Sequence, residues 1–426
     1  MAKCVTLEPT LQEQLRAIDK ADLVLGIPSF NNASTIAHVV RASQAGLSKY
    51  FPGMRAVLVN SDGGSTDGTQ EIVREASMGD SRAILASHPL FPVHRIVTPY
   101  HGIPGKGSAL RTIFQAASEL EATACAVVDA DLRSITPAWM DFLLGPVVHE
   151  QFDFVAPLYL RHKYDGTITN SIVYPMTRSL YGLRVRQPIG GDFGLSRKLV
   201  SHYLEQDVWD TDVARFGIDI WMSTTAIADK FKVCQSFMGA KIHDAKDPGL
   251  QLAQMLQQVM SAFFDLTVAR EATWKPILGS VHVPLFGMEH AVGLEPVNVD
   301  QGRMHRAFRS GLQDLGSIWS QVLRPEVLKG LQMIGPEPES SFHMPGDLWV
   351  RILHDFALAY RGRVIGREHL LQSLTPIYLG RVASFIAEAK GANATETEAL
   401  LEDLCLAFER LKPEFIDLWE RSGRRT

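Results

Sequence analysis

The chain has 426 residues, 46% of them hydrophobic and 21% charged, with a formal net charge of -5. That length exceeds what one hydrophobic core usually serves, so one large domain and a second, smaller one are expected. The charge leaves no basic footprint for nucleic acid, no run approaches the ~18 apolar residues of a membrane helix, and four dispersed cysteines form neither a CxxC pair nor a disulfide framework.

The N-terminal MAKCVTLEPTLQEQ lacks an apolar signal region, and a cytoplasmic, soluble protein is the expectation. LVLGIPSF (23–30) has the pattern of a buried strand, with a helix expected from about Ser34 as N-cap. RAVLVN (55–60) is a second strand, followed by SDGGSTDGT and a helix from about Asp67. HRIVTP (94–99) is a third; after the glycine-rich GIPGKG a helix runs to about Leu120. ACAVVDAD (124–131) is a fourth, and the next helix starts near Pro137. Strand, polar loop and helix in repetition predict right-handed βαβ units and a mainly parallel sheet. Ligands of such sheets lie beyond the carboxyl ends of the strands, where Asn31–Asn32, Ser61–Asp67, Pro104–Gly107 and Asp129–Asp131 all fall.

From about residue 250 the pattern turns helical: LQLAQMLQQVMSAFFDL, HRAFRSGLQDLGSIWSQVL, LWVRILHDFALAY, EHLLQSLTPIYLGRVASFIAEA and TEALLEDLCLAFERL all have that period. Residues 275–300 are proline- and glycine-marked and suit a linker or a loop over the site. The division expected is an α/β catalytic domain over 1–270 and an α-helical region over 271–426, covering the site or mediating dimerisation.

Two common nucleotide folds are disfavoured. GIPGKGS lacks the spacing of a phosphate-binding P-loop, and the first strand ends in PSFNN rather than GxGxxG. Asp129-Ala-Asp131 offers another route, because two carboxylates at a strand end can hold Mg²⁺ or Mn²⁺ and leave coordination positions for diphosphate oxygens. A lone DxD is a weak signal. Asp210-Thr-Asp212 also matches it, with no strand before it, and is read as solvated surface.

In matched order from about Leu23 to Val268, the motifs PxxN, GGSTD, PGKG, DADxxxxxPxW, QPxGG, FGID and KxH resemble those of the GT-A fold glycosyltransferases. Within these, the chain is similar to the retaining enzymes mannosylglycerate synthase and glucosyl-3-phosphoglycerate synthase. The resemblance implies a Rossmann-like nucleotide-sugar-binding domain, a helical C-terminal region and a divalent cation cofactor. It implies a GDP-, UDP- or ADP-hexose as donor, a small anionic acceptor such as D-glycerate, and a homodimer. No nucleic acid or membrane partner is expected.

Carried over residue by residue, the resemblance makes Asp131 and His243 the metal ligands, with Asp129 touching ribose or the metal's water shell. Lys106, between two glycines, would approach phosphate or base closely, and the resemblance makes it a nucleotide contact. Pro28, Ser29, Phe30 and Asn32 would frame the nucleobase, although the phosphoglycerate-using relatives carry Glu at the position of Asn32. Ser61, Asp62 and Ala130 complete the nucleotide set, while Asp67 caps the following helix. Gly190, Gly191 and Asp192 would lie under the donor sugar, where the relatives carry Glu in place of Asp192.

Arg161, Thr169 and Asp219 are the acceptor candidates, with Tyr164 and Asn170 as helpers or as packing and capping residues. Relatives that use phosphoglycerate have a further arginine where this chain has Thr167, which favours unphosphorylated glycerate here. No side chain declares itself a covalent nucleophile; Asp192 and Asp219 are the catalytic candidates. The alternatives are 3-phosphoglycerate as acceptor, a nucleotidyltransferase on a similar α/β fold, or a silent regulator.

Overall fold

A computed structural model describes residues 7–76, 93–99, 105–242, 250–290 and 292–423. The described chain forms two compact units. The first draws on Met1–Arg161, Val185–Ala245 and Val283–Leu294; the second draws on His162–Arg184, Lys246–His282 and Glu295–Thr426. The division is therefore not a single cut near residue 270: a loop-and-helix excursion at 162–184 joins the helical unit, and 283–294 returns to the sheet.

Ten strands are described: β1 (Leu23–Ser29), β2 (Ala56–Asp62), β3 (His94–Pro99), β4 (Ala124–Val127), β5 (Phe154–Leu160), β6 (Leu183–Arg184), β7 (Phe193–Ser196), β8 (Val233–Ala240), β9 (Val281–His282) and β10 (Leu285–Phe286). Eight of them form the sheet of the first unit, in the order β10-β8-β5-β7-β4-β1-β2-β3. β1 runs parallel to β2 and β4, β2 to β3, and β8 to both β5 and β10. β7 is antiparallel to β4 and β5. The four strands read from the sequence all form, and the sheet is mainly parallel as the pattern implied.

Side chains alternate across the sheet. Leu25 and Ile27 of β1 pack with Val39, Val40 and Met140 in one core, beneath helices Ile36–Tyr50 and Ala138–Glu150. Gly26, between them, faces Ile113 of helix Lys106–Glu119, where a Cβ would lie 2.3 Å from Ile113 Cγ2. The helix expected from Ser34 starts at Ile36, because Thr35 takes the cap position and spends its hydroxyl on Ala130 O at 2.8 Å.

The antiparallel β7 matters for the site. Its first residue, Phe193, pairs with Val127 at the end of β4. The turn that enters β7 therefore lies at the same sheet edge as the carboxyl ends of the parallel strands.

The second unit is helical, with long helices Leu250–Ala269, Gln301–Asp314, Gly346–Gly362, Arg367–Glu388 and Ala394–Gly423. Trp274 stacks on Phe415 and meets Trp419 edge-on in its interior. Arg178 is fully buried and pairs with Glu402 at 2.5 and 2.8 Å and with Glu409 at 2.7 Å. Within this unit Val281–His282 pairs with Leu183–Arg184, so the 275–300 segment is partly ordered by strand pairing. Among the described residues no helix is long and apolar enough to cross a membrane.

The close approach of helix Ala138–Glu150 to β7 yields a test. A Cβ on Gly194 would lie 1.9 Å from Leu143 O, a backbone atom with nowhere to move. Gly194→Ala is expected to destabilise the protein by about 1–3 kcal/mol, read as a lower urea midpoint with unchanged slope.

Candidate active site

The carboxyl ends of β1, β2, β4, β5 and β8 and the amino end of β7 deliver Ser29, Asp62, Asp129, Asp131, Arg161, Lys241 and the Gly190–Asp192 turn to one edge of the sheet. At its centre stands Asp129, bracketed by two ammonium groups. Lys106 Nζ donates to Asp129 Oδ1 at 2.8 Å, and Lys241 Nζ donates to Asp129 Oδ2 at 2.7 Å. The lysines also hold the turn before β7: Lys241 donates to Gly190 O at 2.8 Å and Lys106 to Gly191 O at 3.2 Å.

Lys241 reaches a second acid, Asp192 Oδ2, at 2.8 Å, and the Tyr159 hydroxyl donates to that same oxygen. Asp192 Oδ1 accepts from the backbone N–H of Asp129 at 2.7 Å. On the other side Lys106 lies 3.2 Å from the carboxylate of Asp219, in the first turn of helix Ile218–Ala228. Two lysines thus face three aspartates, one negative charge in excess.

The electrostatics follow from this shortage of cations in a buried place. Burial alone would raise Asp129, but the two ammonium groups outweigh it and hold its carboxyl well below the usual range. Burial wins at Asp192 and Asp219, which are pushed up in spite of Lys241 and Lys106 respectively. Burial opposes the charge on both lysines, yet their aspartate neighbours carry the shift upward and keep them protonated. Burial and the adjoining Asp192 push the Tyr159 hydroxyl up.

Several expected site residues have other work. Gly105 and Gly107 do not leave Lys106 an unobstructed backbone: a Cβ on Gly107 would lie 1.9 Å from Val213 O, and one on Gly105 2.6 Å from Ala214 O. These glycines let the helix start pack on the 213–215 loop, which also fixes Lys106. Gly191 is required for a similar reason, since it sits at φ +91° and a Cβ would fall 2.1 Å from Asp129 Oδ2. Asp192 has a side chain with no exposed surface and is enclosed behind the turn, so it is not placed to touch a sugar or act as a nucleophile.

Asp62 is also buried. It accepts from Ser29 Oγ, Gly64 N, Ser65 N, Ser65 Oγ and Gln70 Nε2, all between 2.7 and 2.9 Å. These bonds fold the GGSTD loop and, through Ser29, fasten it to β1. Asn32 Oδ1 accepts from Phe30 N at 2.9 Å and the Asn32 backbone N–H donates to Thr69 Oγ1. Asp67 accepts from Thr69 N and Ala33 N, but the cap position of helix Thr69–Glu75 is Gly68 and not Asp67, so the helix begins two residues later than expected. Phe30 is 61% exposed at the tip of this rim, Pro28 is half-buried, and Ser61 is buried beside Pro28 in the β1–β2 register.

Asp131 is half-buried one residue beyond the buried Ala130; His243 lies outside the described residues. The loop after Asp131 is tied to the lysine strand end by Arg133 N to Ile242 O and Ile242 N to Ser134 Oγ, both 2.9 Å. Arg161 follows β5 with its guanidinium over the Tyr159 ring. Thr169 belongs to the helical unit, buried at the start of a π-helical turn. In the same unit Tyr164 donates to Ile386 O, Asn170 donates to Asp165 O, and Thr167 Oγ1 meets Tyr378 Oη at 2.5 Å. Asp210 is exposed, as expected of solvated surface; Asp212 is half-buried and pairs with Arg215 in the turn that packs against Gly105 and Gly107.

Lys241 and Tyr159 escaped the sequence reading. Lys241 was visible only as the first letter of KxH, and the segment that carries Tyr159 was not read as a strand.

No protein-family profile and no curated protein matches this chain. Among solved structures it is similar to glucosyl-3-phosphoglycerate synthase from Mycobacterium tuberculosis in complex with Mn²⁺, UDP-glucose and phosphoglyceric acid. That match has 20% identity over 62% of this chain and 86% of that one, with a TM-score of 0.43. The same synthase with Mg²⁺ and UDP gives 19%, 61%, 84% and 0.43, and a further mycobacterial protein gives 19%, 62%, 80% and 0.41. Likenesses at this level carry no argument about activity.

Asp62 gives a pH test. Burial opposes its ionisation, but the hydrogen bonds from Ser65 and Ser29 outweigh burial and lower its pKa. A lowered folded-state value contributes stability present above the unfolded pKa of about 3.9 and lost as pH falls through the folded one. Urea midpoints are expected to fall more between pH 5 and 3 for the wild type than for Asp62→Asn, whose stability is already lower at pH 7.

Proposed function

We propose that this chain is a GT-A-type retaining glycosyltransferase that moves a hexose from a nucleoside-diphosphate sugar to D-glycerate or a close relative. The observation that carries this reading is Lys106, held at the sheet edge by Asp129 and Asp219 and still 16% exposed, one strand end from Asp131. An ammonium group fixed in a buried acidic frame is a preorganised donor for an anionic oxygen.

The residues fit a divalent cation. Asp131 is the carboxylate that the resemblance assigns to the metal; both oxygens of Asp129 accept from lysines. Mg²⁺ or Mn²⁺ at a diphosphate is held by one or two protein side chains and otherwise by phosphate oxygens and water. Asp131, with His243, would hold it, and its chemistry when bound is to neutralise the departing diphosphate.

The chain's own residues do the rest. Lys106 donates to a phosphate oxygen in exchange for one of its longer contacts, to Gly191 O at 3.2 Å or Asp219 Oδ2 at 3.3 Å, and Phe30, exposed beside Pro28, offers an open ring face to the base. The Gly190–Gly191 carbonyls are pinned by the lysines, which fixes the floor beneath the sugar. Arg161 supplies a guanidinium for the acceptor carboxylate. Enclosure of Asp192 supports attack by the acceptor hydroxyl on the face the phosphate leaves, with Asp219, buried but less completely than Asp192, orienting sugar or acceptor. The assignment of Thr169 rests on the resemblance alone.

Unphosphorylated glycerate is favoured because the 167 position carries a neutral threonine whose hydroxyl is already engaged by Tyr378. One solved structure similar to this chain is a complex with UDP-glucose and phosphoglyceric acid, so both belong in the test. GDP-mannose and GDP-, UDP- and ADP-glucose are offered with Mg²⁺ against D-glycerate and 3-phosphoglycerate. The expected result is metal-dependent transfer to glycerate, abolished by chelation and in Asp131→Ala, with kcat/KM down about 10²–10³-fold in Lys106→Met. Transfer only to 3-phosphoglycerate overturns the acceptor assignment; hydrolysis or transfer that persists without metal overturns the class.

A further inference from the structure

We propose that Lys241, Asp192 and Tyr159 are positioning residues: a buried ion cage that sets Asp129 and the Gly190–Gly191 turn in place and itself touches no substrate. The proposal deepens the nucleotide-sugar reading and rests on it for the identity of the ligand. Lys241 has a side chain only 4% exposed, and its three donations, to Asp129, Asp192 and Gly190 O, account for the three protons of an ammonium group. Lys106, by contrast, keeps an exposed edge. Lys106 also makes three donations, to Asp129, Gly191 O and Asp219, so the two lysines that share Asp129 differ in exposure rather than in their number of partners: a ligand reaches Lys106 by displacing one of its longer contacts, whereas Lys241 is enclosed.

Asp192 is the junction of the cage. One oxygen takes the Asp129 backbone N–H and the other takes Lys241 and Tyr159, so the end of β4, the entry to β7, and the ends of β5 and β8 are joined through one carboxylate. A register shift between Leu158 and Tyr159 in the β5–β8 pairing sets where Tyr159 meets it. The glycine at 191 belongs to the same device, since a Cβ there would also lie 2.8 Å from Lys241 Nζ.

The charges give the proposal a signature. Removing Lys241 leaves Asp129 and Asp192 with one cation between them; removing the charge of Asp192 as well restores the original excess of one negative charge. A lysine that bound substrate directly would show no such rescue.

The test is a double-mutant cycle on the full chain with Lys241→Met, Asp192→Asn and the pair together. It is read as Tm and as the Kd of UDP and of GDP with Mg²⁺, and Tyr159→Phe serves as a milder fourth variant. Lys241→Met is expected to lower Tm and weaken diphosphate binding by about tenfold or more, and Asp192→Asn in the same chain is expected to recover most of both losses. Tyr159→Phe is expected to stay folded and weaken binding several-fold. Additive losses in the double variant, or wild-type binding in both Lys241→Met and Tyr159→Phe, overturn the proposal. If the wild type binds neither nucleotide, the glycosyltransferase reading fails instead, and the Tm cycle still decides whether the cage exists.

Discussion

A single carboxylate, Asp129, organises this site by standing half-buried between two ammonium groups. An ion taken from water is stable in such a place only if its partners are close and its remaining valences are met. Here Lys106 and Lys241 meet both oxygens, and the spare protons of the lysines go to the Gly190 and Gly191 carbonyls, Asp192 and Asp219. The site is therefore built before any ligand arrives.

The same constraint explains the local backbone. Gly191 leaves room for Asp129 and Lys241, Gly190 for the Pro157 ring, and the glycines around Lys106 for neighbouring carbonyls, at distances where any side chain would collide. The antiparallel β7 brings its entry turn to the edge where the parallel strands end. Helix Ile218–Ala228 then sets Asp219 against Lys106 from the far side.

Much of this was legible in the sequence, and for definite reasons. Apolar runs ending in polar clusters marked β1 to β4, and the convergence of those clusters on one sheet edge followed from parallel topology. The direction of β7 was not legible, because a four-residue strand takes its orientation from partners distant in sequence. Gly105, Gly107 and Gly191 were read as openings for a ligand, yet they serve packing; the residues that fill the space come from other segments. Asp192 looked catalytic for its place in QPIGGD and proves enclosed, and Lys241 looked like spacing before a histidine and proves central. Burial separates these roles, and no motif reports it.

The most direct measurement is a crystal structure of the chain with Mn²⁺ and UDP or GDP, with the metal located by its anomalous signal. The account predicts a metal peak about 2.1–2.3 Å from an Asp131 carboxylate oxygen, a diphosphate oxygen within hydrogen-bond reach of Lys106, and Lys241 still on Asp129 and Asp192. A metal bound elsewhere, or a diphosphate seated on Lys241 with Lys106 unengaged, would contradict it.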